Sequence, residues 1–317
     1  MPPASATRPA VVFPGQGSQR PGMAADFCER FAVARDAFTE ASEALSLDLA
    51  ALCFAEADPR LDLTEFTQPA ILTAEIAMFR ALTHELGLSP AWFGGHSLGE
   101  YAALCAAGVV PLGVAVRLVR RRGALMQSAV PVGDGAMAAI IAQGIAERDL
   151  VRELGDLGVD VANRNSSNQV VLSGPAAALH AACARLDGLL DGQGHEIVHL
   201  NVSAPFHSRM MRGIEAEFRA VLESAADRFD PSRSTAVTSN LTGRFHDGTR
   251  ASLIDGLTRQ VSGTVDWIGN MRALVEVADP IFEIGPNRPL RSFFKATVGR
   301  DVSSILSVKT AEKALGK

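Results

Sequence analysis

Residues 95–99 read Gly-His-Ser-Leu-Gly, a serine held between two glycines. Trp92 and Phe93 precede it as a short apolar run, and a helix-like apolar stretch from Leu98 to Ala107 follows. This is the G-x-S-x-G elbow, which demands a buried strand on one side and a helix on the other, with Ser97 on the turn between them. Chance alone would supply about 0.2 such matches in a chain of this composition, so the flanking strand and helix carry most of the weight. Glycines suit the flanks because a Cβ would crowd so sharp a turn. A second local reading stays open: Ser97 as a helix N-cap, with Glu100 three residues on completing a capping box.

The same pattern recurs elsewhere. Ala10 to Phe13 runs into Pro-Gly-Gln-Gly-Ser-Gln, and Ile281 to Ile284 runs into Gly-Pro-Asn-Arg-Pro. Each reads as a buried strand whose end feeds a turn, where open α/β sheets place their binding crevices. Helical stretches are expected over Met23 to Leu45, Gln68 to Leu86, Leu98 to Ala107 and Val114 to Ser128, giving an α/β sheet domain. Between residues 135 and 200 the order changes to β-α-β-β-α-β, the pattern of a ferredoxin-like unit. The expectation is a small subdomain over 131–201 inserted into a large one built from 1–130 and 202–317.

With 317 residues and 47% hydrophobic content, the chain can bury cores of that size. A net charge of -5 argues against a general nucleic-acid binder. The four cysteines, Cys28, Cys53, Cys105 and Cys183, show no paired spacing for zinc or a disulfide framework. No metal and no cofactor are expected. The first residues read as a lead-in rather than a signal peptide, and the longest apolar run, Tyr101 to Val116, is too short and too broken by Gly108 and Pro111 to cross a bilayer. A cytoplasmic protein without membrane contact is expected.

A serine nucleophile needs a base within hydrogen-bond reach. Adjacent side chains diverge at a sharp turn, so His96 reads as a structural or pocket-lining group. His84, His195 and His246 sit in polar surroundings and read as surface residues, while His180 and His199 fall inside small-subdomain elements, where packing is the expected role. His207, in a loop returning to the large domain, is the best candidate on position. The glycine loop at 15–17 lacks the P-loop lysine and is suited instead to presenting backbone N–H groups to an oxyanion, or is an ordinary tight turn. In the helix around Arg120-Arg121-Arg122 the apolar stripe runs through Ala115, Leu118, Val119 and Met126, and Arg122 falls on it, whereas Arg117, Arg120 and Arg121 do not. An inward arginine requires a carboxylate: an internal Asp or Glu, or the acid group of a bound substrate.

Seven motifs stand in one order: FPGQGSQ (13–19), TQPA (67–70), GHSLGEY (95–101), RRGALMQ (121–127), NRNSSNQVVLSG (163–174), SAPFHS (203–208) and FEIGP (282–286). Together they resemble the malonyl-CoA:acyl carrier protein transacylases and the related acyltransferases of polyketide synthases, over roughly residues 10–295. The resemblance implies an α/β-hydrolase-like large subdomain with an inserted ferredoxin-like one. It implies Ser97 as the acylated nucleophile and His207 as its base, oriented by the backbone carbonyl of Gln260. The oxyanion donors would be the backbone N–H groups of Gln16 and Leu98. Arg122 would take the free carboxylate of a malonyl group, and Gln68 and Gln169 would line the cleft.

The implied reaction is ping-pong malonyl transfer from malonyl-CoA to the phosphopantetheine thiol of an acyl carrier protein, with the prosthetic group carried by the partner. Two departures are visible. Asn165 to Gln169 reads NSSNQ where many relatives have NSPGQ, and Phe206, a bulky ring before the histidine, resembles malonyl-selective enzymes. The chain reads as freestanding, acting in fatty acid or polyketide synthesis, and as a monomer.

Overall fold

Parallel strands need long crossovers, and the amphipathic stretches of this sequence supply them. The computed structural model describes residues 7–202 and 204–317, so the lead-in through residue 6, and Ser203 within the SAPFHS stretch, lie outside the described residues. β1 (Arg8–Phe13) is followed by α1 (Ala25–Arg30), α2 (Ala32–Leu45), α3 (Leu49–Phe54) and α4 (Thr64–His84). β2 (Trp92–Gly95) then turns into α5 (Gly99–Ala106), and α6 (Leu112–Ser128) ends this half. The middle contains β3 (Gly135–Ile141), α7 (Leu150–Leu154), β4 (Asp160–Ser166), β5 (Gln169–Pro175), α8 (Ala176–Leu189) and β6 (Glu196–His199). The last part has α9 (Glu215–Ala225), β7 (Thr238–Ser239), β8 (Arg244–Phe245), α10 (Arg250–Gln260), α11 (Trp267–Val277), β9 (Ala278–Ile284), α12 (Pro289–Val298), β10 (Ser303–Ile305) and α13 (Val308–Leu315).

The first sheet has the order β10-β9-β1-β2 with every pair parallel. Successive residues of β1 feed different cores: Val11 and Phe13 pack with the long helices, Ala10 and Val12 with α11 and α12. Burial on both faces is what a parallel sheet requires, and it explains why β1 is apolar without alternation. Phe13 lies opposite Gly95 in the register, so the loop after β1 and the elbow after β2 leave the same sheet edge side by side. The second sheet is antiparallel, in the order β4-β5-β3-β6. Its edge strand β4 is tied to the segment just beyond α10, where Arg164 N donates to Val265 O and Val265 N to Ala162 O.

Two helix readings need correction. The expected helix over 23–45 breaks at Phe31, whose backbone is extended at φ -119°. The helix expected from Gln68 begins a turn earlier, at Thr64, with Pro69 inside it. Thr67 Oγ1 donates to Leu61 O and Leu63 O, which anchors that first turn and places Gln68 on the buried side. Among the described residues no helix is long and apolar enough to cross a membrane, and all four cysteines are free thiols.

Candidate active site

Ser97 sits between β2 and α5 with φ 53°, in the left-handed region that side chains disfavour. The flanking glycines are required by contact: a Cβ on Gly95 would come within 1.9 Å of Gly99 O, and one on Gly99 within 2.2 Å of Phe13 O. Ser97 is not a cap. The residue preceding α5 is Leu98, without a side-chain cap, and Glu100 turns into the interior.

The Ser97 hydroxyl lies 2.7 Å from His207 Nε2. His207 Nδ1 is 2.8 Å from the carbonyl oxygen of Gln260. A carbonyl only accepts, so Nδ1 carries the proton and Nε2 presents its lone pair to the serine. Gln260 ends α10, and the last carbonyls of a helix have no partner within it, which leaves this one free to orient the ring. The next carbonyl, Val261 O, accepts the His207 backbone N–H at 3.2 Å. Burial, and then the Arg122 charge, lower the His207 pKa to about 3, so the imidazole is neutral and able to act as a base.

Arg122 is 1% exposed, as its place on the apolar stripe requires. Its Nη1 donates to Gln68 Oε1 at 3.0 Å, and its Nη2 to Gln260 Oε1 at 2.8 Å and to Ser97 Oγ at 3.2 Å. Its guanidinium lies 5.5 Å from the centre of the Tyr101 ring. Among the described residues no carboxylate lies within ion-pair reach of it, and its Nε has no acceptor. Only neutral amide and hydroxyl oxygens meet a buried cation beside a nucleophile, so the site can receive an acid group next to a reacting carbonyl. The neighbouring arginines face elsewhere: Arg120 pairs with Glu65, Arg121 with Glu217, and Arg117 is exposed.

The glycine loop packs against the elbow, for a Cβ on Gly15 would meet His96 O at 2.5 Å. Among the described residues, the backbone N–H groups of Gln16 and Leu98 have no acceptor. His96 turns away from the serine as expected: its Nε2 is 2.7 Å from Asn165 Oδ1 and its ring packs edge-on to Trp267. Asn165 Nδ2 donates to Gln169 Oε1, so Gln169 reaches the elbow only through Asn165 and His96. Gln68 is buried under Arg122 rather than lining open space, and Phe206 is buried beside the base.

Three histidine readings fail. His246 is buried, not on the surface, with Nε2 at 3.0 Å from Glu100 Oε1. It directly follows β8, and its polar neighbours Arg244 and Asp247 are exposed while its own side chain turns inward. His180 and His199 are exposed, their rings 5.3 Å apart on the outer side of α8 and β6 instead of packed inside.

Sequence reasoning missed Asn240. Its Oδ1 accepts the Ser97 N–H at 2.5 Å and its Nδ2 donates to Gly95 O at 2.7 Å, bracing both sides of the elbow. No local signal marks it, since Ser-Asn-Leu-Thr-Gly reads as a turn.

The profile of the acyl transferase domain family matches residues 10–281. The chain belongs to the acyl transferase domain family. The malonyl CoA-acyl carrier protein transacylase of Escherichia coli K12 is 36% identical over 313 residues, which cover 97% of this chain and 98% of that protein. The solved transacylase of the same description from Coxiella burnetii superposes with a TM-score of 0.90 at 32% identity, covering 98% of this chain and 97% of that one. A further structure, a malonyl-transacylase in complex with its type II polyketide synthase acyl carrier protein, matches with a TM-score of 0.88 at 33% identity, covering 98% and 99%. In this acyl transferase domain the matched residues take in the elbow, Arg122, His207 and Gln260.

Proposed function

We propose that this acyl transferase domain moves a malonyl group from malonyl-CoA to the phosphopantetheine thiol of an acyl carrier protein. The observation that carries the reading is the buried Arg122 guanidinium, which has no carboxylate partner among the described residues and lies 3.2 Å from Ser97 Oγ. A malonyl carboxylate on Arg122 would bring the thioester carbonyl to the serine, and Gln68 and Gln260 hold the fork in place for it. A neutral acyl chain would leave that buried cation with no carboxylate in contact among the described residues.

Ser97 Oγ attacks the thioester carbon as its proton passes to His207 Nε2. The oxyanion is held by the Gln16 and Leu98 N–H groups, one in the glycine loop and one at the start of α5. Collapse breaks the carbon–sulfur bond, and the CoA sulfur takes the proton from His207. The carrier thiol then gives its proton to His207 and attacks the serine ester, returning the hydroxyl. Phe206 narrows the space beside the α-carbon, and His96, Asn165 and Gln169 form the wall at the second sheet.

The two sheets support a division into an α/β-hydrolase-like part, 1–130 and 202–317, and an inserted ferredoxin-like part, 131–201. The support is the strand order β4-β5-β3-β6, in which the first and third strands of the unit are central. With malonyl-CoA and a holo carrier protein, malonyl-carrier protein is expected to form faster than free malonate, with a malonyl ester on Ser97 seen by mass spectrometry. Free malonate as the main product would overturn the reading in favour of a hydrolase.

A further inference from the structure

His246 makes no hydrogen bond to Ser97 or His207, yet it closes a hydrogen-bonded chain that ends on both members of that pair. Its Nε2 meets Glu100 Oε1 at 3.0 Å, with both side chains buried. The other Glu100 oxygen accepts from Gln260 Nε2 at 2.7 Å and from the Asn240 backbone N–H at 3.1 Å. These two residues grip the elbow. Gln260 Nε2 also donates to Ser97 O at 2.9 Å, and Asn240 Oδ1 accepts the Ser97 N–H at 2.5 Å. The same Gln260 orients His207 through its carbonyl and Arg122 through Oε1.

A buried carboxyl group in this position needs hydrogen-bond partners on both oxygens, because unpaired buried polar atoms are costly. With Oε2 already taking two N–H groups, His246 is the donor for Oε1. His246 is itself fixed, its backbone N–H bonding Val237 O, on the segment that bridges β2 at Phe93. The chain of contacts therefore runs from the sheet edge through His246 and Glu100 to the backbone of the nucleophile.

We infer that His246 is a positioning residue for acylation, holding the Glu100 carboxylate where it aligns Asn240 and Gln260 on the Ser97 elbow. It touches no reacting atom. Its effect is on the geometry in which Ser97 and His207 meet, and misplacements of about 1 Å at such a pair cost on the order of 100-fold in rate.

The test compares His246→Leu, which removes the donor, with His246→Gln, whose amide restores an N–H near the Nε2 position. Two readouts are taken: the kcat and KM of malonyl transfer, which rest on the proposed function, and the rate at which a fluorophosphonate labels Ser97, which does not. His246→Leu should slow labelling and kcat by roughly 10- to 100-fold with KM for malonyl-CoA little changed, and His246→Gln should recover most of the loss. Where His246→Leu does not fold, His246→Asn, too short to span the contact, takes its place. Wild-type labelling rates in the donor-less variant would overturn the proposal. So would equal losses in the Leu or Asn variant and in the Gln variant when circular dichroism shows all of them folded. Labelling that follows the prediction while wild-type protein fails to transfer malonyl would overturn the substrate reading alone.

Discussion

Ser97 and His207, whose side chains meet at 2.7 Å, are both held in left-handed backbone, at φ 53° and 56°. Such a conformation costs a non-glycine residue on the order of 1 kcal/mol, and it persists only where the surroundings over-determine it. Here they do. Asn240 and Gln260 grip the N–H and C=O of Ser97, and the end of α10 takes both the backbone N–H and ring Nδ1 of His207.

Ser97→Gly and Ser97→Ala both remove the hydroxyl, so their difference isolates the backbone strain. Ser97→Gly is expected to be more stable than Ser97→Ala by about 1 kcal/mol in urea unfolding, because glycine adopts this φ without penalty. Neither variant forms an acyl-enzyme. Equal stabilities would mean that the elbow relaxes when the hydroxyl is lost.

The lowered pKa of His207, about 3, sets the acid limb of the acylation rate. A base with the ordinary histidine pKa would lose activity below about pH 6.5, whereas acylation here is expected to stay flat from about pH 8 to 5. The same shift has a stability sign: a histidine with depressed folded pKa stabilises the native state above its unfolded pKa, and that contribution is lost as pH falls through the window toward 3. A pH series of single-turnover acylation checks the first statement. An activity midpoint near 6.5 would contradict it.

The sequence makes the strand-turn-helix at Ser97 legible, because glycine spacing and apolar runs are local properties. The inward placement of Arg122 is legible for the same reason, as helical periodicity puts it on the stripe with Leu118 and Met126. His207 is legible only as the histidine in the right loop, and the Gln260 carbonyl only through family resemblance, since a backbone oxygen leaves no residue signature. Asn240 and the Glu100–His246 pair are not legible. They join positions about 140 residues apart, Glu100 resembles a capping-box residue, and His246 lies in a segment whose polarity reads as surface. The early start of α4 was hidden by Pro69, which sequence rules prefer at a helix's first turn.

Arg122→Ala removes the only cation that meets Ser97 among the described residues and should reduce malonyl-enzyme formation by roughly 1000-fold, a loss of about 4 kcal/mol of transition-state stabilisation. Acetyl-CoA, which has no acid group, should be affected far less. Arg122→Lys should recover little, because one ammonium cannot reach Gln68 and Gln260 while also offering two parallel donors to a carboxylate. Acylation rates with the two thioesters decide the matter: parallel losses would make Arg122 a packing residue.

Glu75 and Glu283 make the folded protein hold protons that the unfolded chain releases. Glu75, on α4, is fully buried, and neither carboxyl oxygen has a hydrogen-bond partner among the described residues. Burial, followed by the nearby Glu283, pushes its pKa well above the usual carboxylate range. Glu283 on β9 is also buried, and burial raises it to about 7 even though Leu290 N, Arg291 N and Ser304 Oγ donate to it. For carboxyls with raised folded pKa, the associated stability is fully present below the unfolded pKa near 4.5 and is lost as pH rises through the folded value. From Glu283 alone this amounts to about 3 kcal/mol between roughly pH 4.5 and 8, with Glu75 adding to the same slope. Urea midpoints should therefore fall as pH is raised above about 6.5, where His207 is neutral in both states and no longer opposes the carboxyls. Glu75→Gln, which cannot ionise, should flatten the slope and be more stable than wild type at pH 8.5. A wild-type slope in Glu75→Gln would show that Glu75 is not the group releasing its proton on unfolding.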